Sequence, residues 1–353
     1  MKQIKLNRRS LMVVIVIPLI CVGMLFVPWD AAYTALKPLP DTLKAEIDDA
    51  PRDGLDGVIA YVDQAGRPPE LYAAGWMNRA AKIPADAHSL FKIASISKLY
   101  IAAATAKLIA AKRLSLDDSL THLLPKIAGH IANADRITLR MMLRHRSGIP
   151  DYIISSNFRW DRAGNQDEVL NLVLDRPADF APDTRRTYSN TNYLLIGMIL
   201  DKTLGYSHRD YIKSEILAPL GLTHTFGLMS DVNPGDIVSG YAVGYEGDMK
   251  PLDCGIPGGS MVATAEDVGV FLRALNTGRL LNTDEQAIYA SIYVYEHTGL
   301  WAGYESIARF HKDIDTILVE FVNTSGGNSW MKAEIEYDRI LRILHRRYKD
   351  KRL

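Results

Sequence analysis

The stretch Phe91-Lys92-Ile93-Ala94-Ser95-Ile96-Ser97-Lys98 decides the fold, and it runs directly into a helix-forming segment, Leu99 to Lys112. Ser95 is expected at the start of that helix and Lys98 one turn further in, so the two side chains share a face. A serine hydroxyl is a weak nucleophile unless a neighbouring group accepts its proton, and the N–H groups of a helix start favour negative charge nearby. The spacing S-x-x-K therefore predicts a nucleophile beside a base.

The spacing S-x-x-K occurs three times in the chain, at Ser89/Lys92, Ser95/Lys98 and Ser329/Lys332. Ser89 precedes the apolar stretch and is expected in an approach loop, whereas Ser329 is expected to cap a final amphipathic helix. Ser95 alone leads into a strongly helical run. Ser95 and Lys98 are therefore the predicted pair.

Two further short motifs follow this pair in chain order. Tyr188-Ser189-Asn190 is the only Y-x-N among the 17 tyrosines, and His297-Thr298-Gly299 is the only histidine or lysine followed by a hydroxyl residue and a glycine. With these motifs the chain resembles the penicillin-recognising serine hydrolases, in particular the branch with class C β-lactamases, one group of D-alanyl-D-alanine carboxypeptidases and related esterases. The resemblance covers roughly residues 55 to 325, because other segments also match that branch, at 116–120, 143–150, 193–197, 219–222 and 258–267.

The resemblance implies a covalent mechanism. Ser95 would attack a carbonyl group, and water would later release the acid from the acyl-enzyme. Lys98 and Tyr188 would share the proton transfers, and the sequence leaves open which of them accepts the first proton, since the usual pKa of each side chain is near 10. Asn190 would hydrogen-bond Lys98 and the amide of the substrate.

The resemblance also implies an edge strand that faces the serine. His297, Thr298 and Gly299 would lie on this strand, where they would bind a substrate carboxylate or relay a proton. The oxyanion hole needs two backbone N–H groups, and the resemblance places them at Ser95 and Leu300.

The third motif departs from the class C pattern, because His297 stands where those β-lactamases carry lysine. A histidine is mostly neutral near pH 7 and attracts a β-lactam carboxylate less than lysine does. The same substitution occurs among D-alanyl-D-alanine peptidases and related enzymes. The resemblance therefore implies D-Ala-D-Ala-type peptides as the expected substrates, in a DD-carboxypeptidase-like reaction. A β-lactamase or carboxylesterase of the same family is the alternative within the enzyme class, and a non-catalytic membrane protein that binds cell-wall peptides is the alternative outside it.

Composition limits the other function classes. Lys and Arg together number 41, as do Asp and Glu, and such a balanced charge argues against nucleic acid as a partner. The histidines and acids lack metal-ligand spacing, and the chain contains no glycine-rich phosphate loop, so we expect neither a metal nor a cofactor. The expected partner is a small-molecule or peptide substrate, such as one derived from peptidoglycan.

The amino terminus predicts a membrane location. Residues 1–10 hold four basic residues and are expected in the cytoplasm, while residues 11–29 carry no charge and, at about 28 Å as a helix, are long enough to span a bilayer. We predict an uncleaved single-pass anchor in a bacterial inner or cell membrane; a cleaved signal peptide is the alternative. Residues 30–40 are then a linker, and residues 41–353 form the hydrolase domain outside the cytoplasm, in the periplasm or at the cell surface.

The predicted fold class is α+β and β-lactamase/transpeptidase-like. Segments 41–93 and 260–353 are expected to form one antiparallel sheet flanked by helices, and about 94–259 to form an inserted helical domain. The predicted elements of the sheet region are strands at 57–63, 70–76, 292–297, 305–311 and 316–323, and a final helix at 329–347.

Overall fold

The computed structural model describes residues 28–350. Its α-helices are α1 (Trp29–Leu36), α2 (Leu43–Asp49), α3 (Ser97–Ala110), α4 (Leu120–Leu123), α5 (Pro125–Ala128), α6 (Leu139–Leu143), α7 (Gln166–Asn171), α8 (Asn190–Leu204), α9 (His208–Ile212), α10 (Ala218–Leu220), α11 (Ala265–Asn276), α12 (Thr283–Ile292) and α13 (Ser329–Asp350). Its strands are β1 (Gly57–Gln64), β2 (Glu70–Asn78), β3 (Ile83–Pro84), β4 (Phe91–Lys92), β5 (Thr225–Phe226), β6 (Tyr241–Ala242), β7 (Val262–Ala263), β8 (His297–Trp301), β9 (Tyr304–His311), β10 (Thr316–Val322) and β11 (Thr324–Ser325). Single turns of 3₁₀ or π helix connect them at Ala50–Asp53, Ala94–Ile96, Tyr152–Ile154, Trp160–Arg162, Lys213–Leu217, Met229–Asp231, Pro234–Asp236 and Lys312–Ile314.

A six-stranded antiparallel sheet in the order β3-β2-β1-β10-β9-β8 forms the frame. Strands from the two ends of the chain meet at its centre, where Tyr61 of β1 pairs with Val319 of β10. The sheet is thus built from both chain ends, as the sequence predicts. Most of the intervening chain, from α3 to β7, folds into helices and short turns beside it.

The two faces of the sheet bury different cores, because side chains alternate along a strand. Val58 and Val62 of β1 belong to the core covered by α2 and α13. Ile59 and Tyr61 face the larger core with α3 and α11. Helix α11 lies directly on this second face, since a Cβ atom on Gly269 would come within 2.1 Å of the Tyr61 ring.

Helix α3 runs through the larger core. Eleven of its 14 residues are buried, so it is apolar on all sides rather than amphipathic. Its run of small alanines, residues 102–104, lets neighbouring helices approach closely, and α8 and α12 both pack against it. The residue that opens this helix is therefore held from several directions.

The segment 30–40, predicted as a linker, differs from that expectation. Residues Trp29–Leu36 form α1, and Asp30 in this helix makes a 2.7 Å ion pair with Lys332 of α13. Lys37 then bridges Asp49 and the 3₁₀ turn that follows α2, because its amine lies 2.6 Å from a carboxylate oxygen in each. These ion pairs dock the segment on the domain.

The predicted membrane span, residues 11–29, lies outside the described residues except for its last two. Within residues 28–350, the structure contains no helix with the length and apolar character that crossing a bilayer requires.

The predicted strand at 292–297 is wrong for most of its length. Helix α12 occupies Thr283–Ile292, and β8 begins only at His297. Two of the four residues between them have carbonyls that accept from side chains instead of a neighbouring strand: the Tyr289 hydroxyl donates to Val294 O at 2.7 Å and the Asn276 amide to Tyr295 O at 3.0 Å. Local β-propensity is overridden by these tertiary bonds.

Helix α13 and strand β10 each carry a buried acid. Glu320 of β10 and Glu336 of α13 are each about 1% exposed, and neither carboxylate oxygen of Glu320 has a hydrogen-bond partner within the described chain. Burial, with the neighbouring Glu336 adding to the effect, raises the pKa of Glu320 well above its usual 4.5. Glu320 is therefore neutral in the folded protein at a pH where the unfolded chain has lost that proton.

We expect Glu320→Gln to stabilise the protein at alkaline pH. Unfolding of the wild type releases the Glu320 proton, so the free energy of unfolding falls as the pH rises above about 4.5. The fall amounts to at most about 1.4 kcal/mol per pH unit. Glutamine does not titrate, so the variant lacks this loss. Urea unfolding at pH 5, 6.5 and 8 measures the difference, with exposed Glu215→Gln as the control. Parallel pH profiles for Glu320→Gln and wild type would contradict the assignment.

Candidate active site

Ser95 lies on the 3₁₀ turn Ala94–Ile96, between β4 and α3. Ala94 adopts a φ of 46° although it is not glycine, which costs on the order of 1–3 kcal/mol, and the Ser97 hydroxyl fixes the turn by donating to Ala94 O at 2.6 Å. Within residues 91–100, Ser95 is the only one that is not buried. The turn thus exposes one hydroxyl on an otherwise buried segment.

The Lys98 amine is buried and has three acceptors around it. It lies 2.9 Å from Ser95 Oγ, 3.0 Å from Asn190 Oδ1 and 2.9 Å from Gly258 O. The last two can only accept, so two N–H bonds of Lys98 are directed to them whether or not the amine is protonated. The third bonding direction of the Lys98 nitrogen faces Ser95 Oγ. An ammonium group donates a hydrogen bond in this direction, and a neutral amine accepts one.

Asn190 is oriented by Asp151, which the sequence analysis did not single out. The Asn190 amide group donates to Asp151 Oδ2 at 3.0 Å, and this bond turns Asn190 Oδ1 towards Lys98. Burial raises the pKa of Asp151. Its position directly after the family-like segment 143–150 was the available signal, but nothing in the residue pattern indicated a contact with Asn190.

Tyr188 reaches the same hydroxyl from the other side. Its phenol donates to Ser95 Oγ at 3.0 Å, and its ring centre lies 5.1 Å from the Lys98 nitrogen. The ring of buried His145 stacks behind it, with centroids 4.5 Å apart. Tyr188 itself remains 37% exposed, so it contacts both Ser95 and the solvent side of the site.

His145 supports the tyrosine without reaching the serine. Its Nδ1 accepts a hydrogen bond from Ser189 N at 3.3 Å, which places the proton on Nε2. Burial, together with the positive charge of Lys98, lowers the pKa of His145 to about 3. The imidazole is therefore neutral, and its role is to position Tyr188.

Strand β8 carries the third motif past the nucleophile turn. A Cβ atom on Gly299 would lie 2.3 Å from Ile93 O and 3.2 Å from the Ala94 side chain, so only glycine permits this approach. Leu300 follows on the same strand with its side chain exposed. Because β8 is an edge strand of the sheet, its outward N–H groups are not used by a further strand of the described residues, 28–350.

His297 is occupied by its own neighbours. Its Nδ1 bonds the Thr298 carbonyl and therefore carries the proton, while Nε2 lies 2.8 Å from the Tyr293 hydroxyl and accepts from it. Partial removal from water and the nearby Lys98 charge lower the pKa of His297 to about 4. His297 flanks Tyr188, at 6.3 Å between ring centres, as a neutral group with both nitrogens engaged.

In the other two S-x-x-K pairs, the serine and the lysine bond to different partners. The Lys92 amine donates to the carbonyls of Lys250 and Leu252, at 2.6 and 2.7 Å, while the Ser89 hydroxyl contacts a methionine sulfur. Ser329 opens α13 and donates to Glu305 at 2.7 Å, whereas Lys332 pairs with Asp30. Neither pair joins a serine to its lysine, in contrast to Ser95 and Lys98.

A series of aromatic contacts connects the neighbour of Asp151 with the end of β8. It begins at Tyr152, next to Asp151, and passes through Phe158 and Trp160 to Trp301 at the end of β8. Successive ring centres are 5.6, 5.2 and 4.9 Å apart, and Trp160 is 40% exposed. Trp160 therefore presents an aromatic surface near the end of β8 against which an apolar group can pack.

A family model described as Beta-lactamase matches residues 43–291. Penicillin-binding protein 4* of Bacillus subtilis (strain 168) is 31% identical over 183 residues, which cover 50% of this chain and 39% of that protein. Penicillin-binding protein 4 of Amycolatopsis lactamdurans is 29% identical over 214 residues, covering 57% of this chain and 54% of that protein. The chain thus matches about 39–54% of the length of these curated relatives.

Among solved structures, D-amino acid amidase from Ochrobactrum anthropi SV3 complexed with L-phenylalanine matches with a TM-score of 0.76. It is 23% identical, and the match covers 88% of this chain and 99% of that one. At this identity the likeness concerns the fold. The predicted α+β, β-lactamase/transpeptidase-like fold is confirmed.

We expect Gly299→Ala to slow modification of Ser95 by a fluorophosphonate by about 10²-fold. The new Cβ would displace β8 from the nucleophile turn, and a shift of about 1 Å in a reacting geometry costs that much in rate. Gly129→Ala is the control, because nothing lies within 4 Å of the added atom. An unchanged labelling rate in a folded Gly299→Ala protein would show that this close approach does not shape the site.

Proposed function

This chain belongs to the beta-lactamase family of serine hydrolases, and we propose that it hydrolyses small amides or esters through an acyl-enzyme on Ser95. The observation that carries the proposal is the position of the Ser95 hydroxyl, 2.9 Å from the Lys98 amine and 3.0 Å from the Tyr188 phenol. A serine with two proton-transfer groups in hydrogen-bond range is the arrangement that nucleophilic catalysis needs.

Proton transfer divides between Lys98 and Tyr188. Lys98 donates two hydrogen bonds to acceptors that do not change with its protonation, Asn190 Oδ1 and Gly258 O. Only its interaction with Ser95 changes, so a neutral Lys98 amine can accept the serine proton without moving. The Tyr188 hydroxyl bonds the same Ser95 oxygen, and the tyrosine is also partly exposed to solvent. This position suits Tyr188 to pass a proton to the leaving group. Either group can accept the first proton, because both contact Ser95 Oγ.

The negative charge that develops on the substrate oxygen would be bound by the N–H groups of Ser95 and Leu300. Support comes from Gly299, whose contact with Ile93 brings β8 beside the nucleophile turn. Support also comes from the edge position of β8. Thr298, next to Gly299 on this strand, would bind the rest of the substrate.

D-Ala-D-Ala-type peptides are the substrates that we propose first, in a DD-carboxypeptidase-like reaction. The support is the resemblance in the three motifs and the two relatives, both of which are penicillin-binding proteins. Residues 1–29, from their sequence alone, support a position of the catalytic domain outside the cytoplasm of a bacterium.

One observation favours a second candidate, hydrolysis of amides or esters that lack a carboxylate beside the cleaved bond. A D-Ala-D-Ala peptide ends in a carboxylate, yet His297 on β8 is neutral and both of its nitrogens are engaged. The strand therefore offers such a carboxylate no histidine cation. A carboxamide or ester in the same place is uncharged, so its binding depends less on a cation at His297.

We expect a fluorophosphonate and a fluorescent penicillin to label the wild-type protein and Ser89→Ala, and not Ser95→Ala. The reason is that only Ser95 has both Lys98 and Tyr188 in hydrogen-bond range. Gel fluorescence and the mass of the intact protein report the adduct. Labelling that persists in Ser95→Ala and disappears in Ser89→Ala would overturn the assignment of the nucleophile.

A matched pair of substrates separates the two candidates. We expect the wild type to cleave a peptide ending in D-Ala-D-Ala. The kcat/KM for this acid, divided by the kcat/KM for the same peptide with a terminal carboxamide, should rise about tenfold in His297→Lys, because lysine adds a charge-assisted bond to the carboxylate. Val294→Lys, at an exposed residue three positions before His297, is the control for an added charge outside the binding strand. A wild type that cleaves only the carboxamide or p-nitrophenyl esters supports the second candidate, and one that binds the peptide but cleaves nothing is the non-catalytic protein.

A further inference from the structure

A cavity of about 580 Å³ lies against the face of α3 that carries Ser97 and Ile101. This volume falls in the range of small-molecule sites, about 300–1,000 Å³. Neither Ser95 nor Tyr188 lines it, so it is separate from the candidate active site. Most of its wall is apolar, with side chains contributed by Ile101, Ile212, Leu217, Leu222, Phe226 and Met261.

Arg209 is the unusual group in this wall. Its stem packs closely on Gly227, where a Cβ atom would come within 2.9 Å of Arg209 Cδ, and its Nη2 donates to Gly255 O at 2.8 Å. Its Nε is buried without a hydrogen-bond partner, and no carboxylate among residues 28–350 forms an ion pair with it. Asp201 and two other carboxylates act on the guanidinium, but none within residues 28–350 is at ion-pair distance. A guanidinium largely removed from water without a carboxylate in contact is costly.

The other charged groups of the wall are either paired or exposed. Buried His208 has its own partner, since its Nδ1 lies 2.7 Å from Asp201. Lys213, Asp210 and Asp231 are exposed residues. The two exposed acids disfavour a ligand with several negative charges, whereas Arg209 favours a single one.

We propose that this cavity binds a small amphiphilic monocarboxylate, with the carboxylate on the Arg209 guanidinium and an apolar tail among the six apolar side chains. The ligand would place a carboxylate in direct contact with the guanidinium, which no acid of residues 28–350 does, and guanidinium and carboxylate groups form strong charge-assisted hydrogen bonds. The wall also includes Gly258, whose carbonyl accepts from Lys98, and Met261, whose carbonyl accepts from Ile93 N. A bound molecule would therefore touch the reverse side of residues that hold the nucleophile turn.

The test is equilibrium dialysis of the full chain with radiolabelled octanoate. We expect saturable binding of one octanoate per chain, and Arg209→Met to raise the Kd at least about tenfold, because the charge-assisted bonds are lost. Lys213→Met removes a positive charge from the same wall and is the matched control, expected to change the Kd less than twofold. Octanol and octyltrimethylammonium, which keep the tail and lack the negative charge, should not displace octanoate.

Ala218→Trp tests the cavity independently of Arg209. Ala218 is an exposed residue that lines the cavity, so a large side chain there should block the space with little effect on the core. We expect it to abolish octanoate binding while leaving fluorophosphonate labelling of Ser95 intact. The proposal is overturned if octanoate shows no saturable binding to the wild type, if Lys213→Met and not Arg209→Met weakens it, or if octyltrimethylammonium competes equally.

Discussion

The buried amine of Lys98 is the constraint on which the rest of this structure depends. An amine removed from water must find acceptors, and those of Lys98 come from three separate parts of the chain: Ser95, Asn190 and Gly258. The nucleophile turn, the start of α8 and the loop before β7 therefore have to meet at one point. Forming the site and folding the domain are, for this reason, the same event.

The sheet supplies the fourth element, and its topology explains why the two ends of the chain are needed. Strand β8 reaches Ser95 only because β10 pairs with β1 at the centre and leaves β8 at the edge. The contact between Gly299 and Ile93 then fixes the distance between edge strand and turn. A small change at β8 is consequently transmitted to the serine, while changes on the opposite edge at β3 are not in contact with it.

Short-range patterns predicted the parts of the structure that depend on local spacing. Ser95 and Lys98 are three residues apart on one helical segment, and the mostly apolar runs of β1 and β10 fit central strands that are buried on both faces. The contact between Asp151 and Asn190 joins residues 39 apart, and no local pattern indicates it. Helix α12 was missed although Asn282 and Glu285 form a capping box at its start, because the tyrosine-rich residues after it resemble a strand.

The buried charged groups of this protein show three solutions to one physical problem. Lys98 keeps hydrogen-bond partners in either protonation state, and Glu320 avoids its charge by keeping a proton, since burial raises its pKa. Arg209 can do neither, because a guanidinium does not lose its proton in proteins, and the fold gives it one carbonyl acceptor and no carboxylate within ion-pair distance among residues 28–350. A cost that folding does not offset is tolerated where something else compensates it. The cavity beside Arg209 is where such a compensating anion fits.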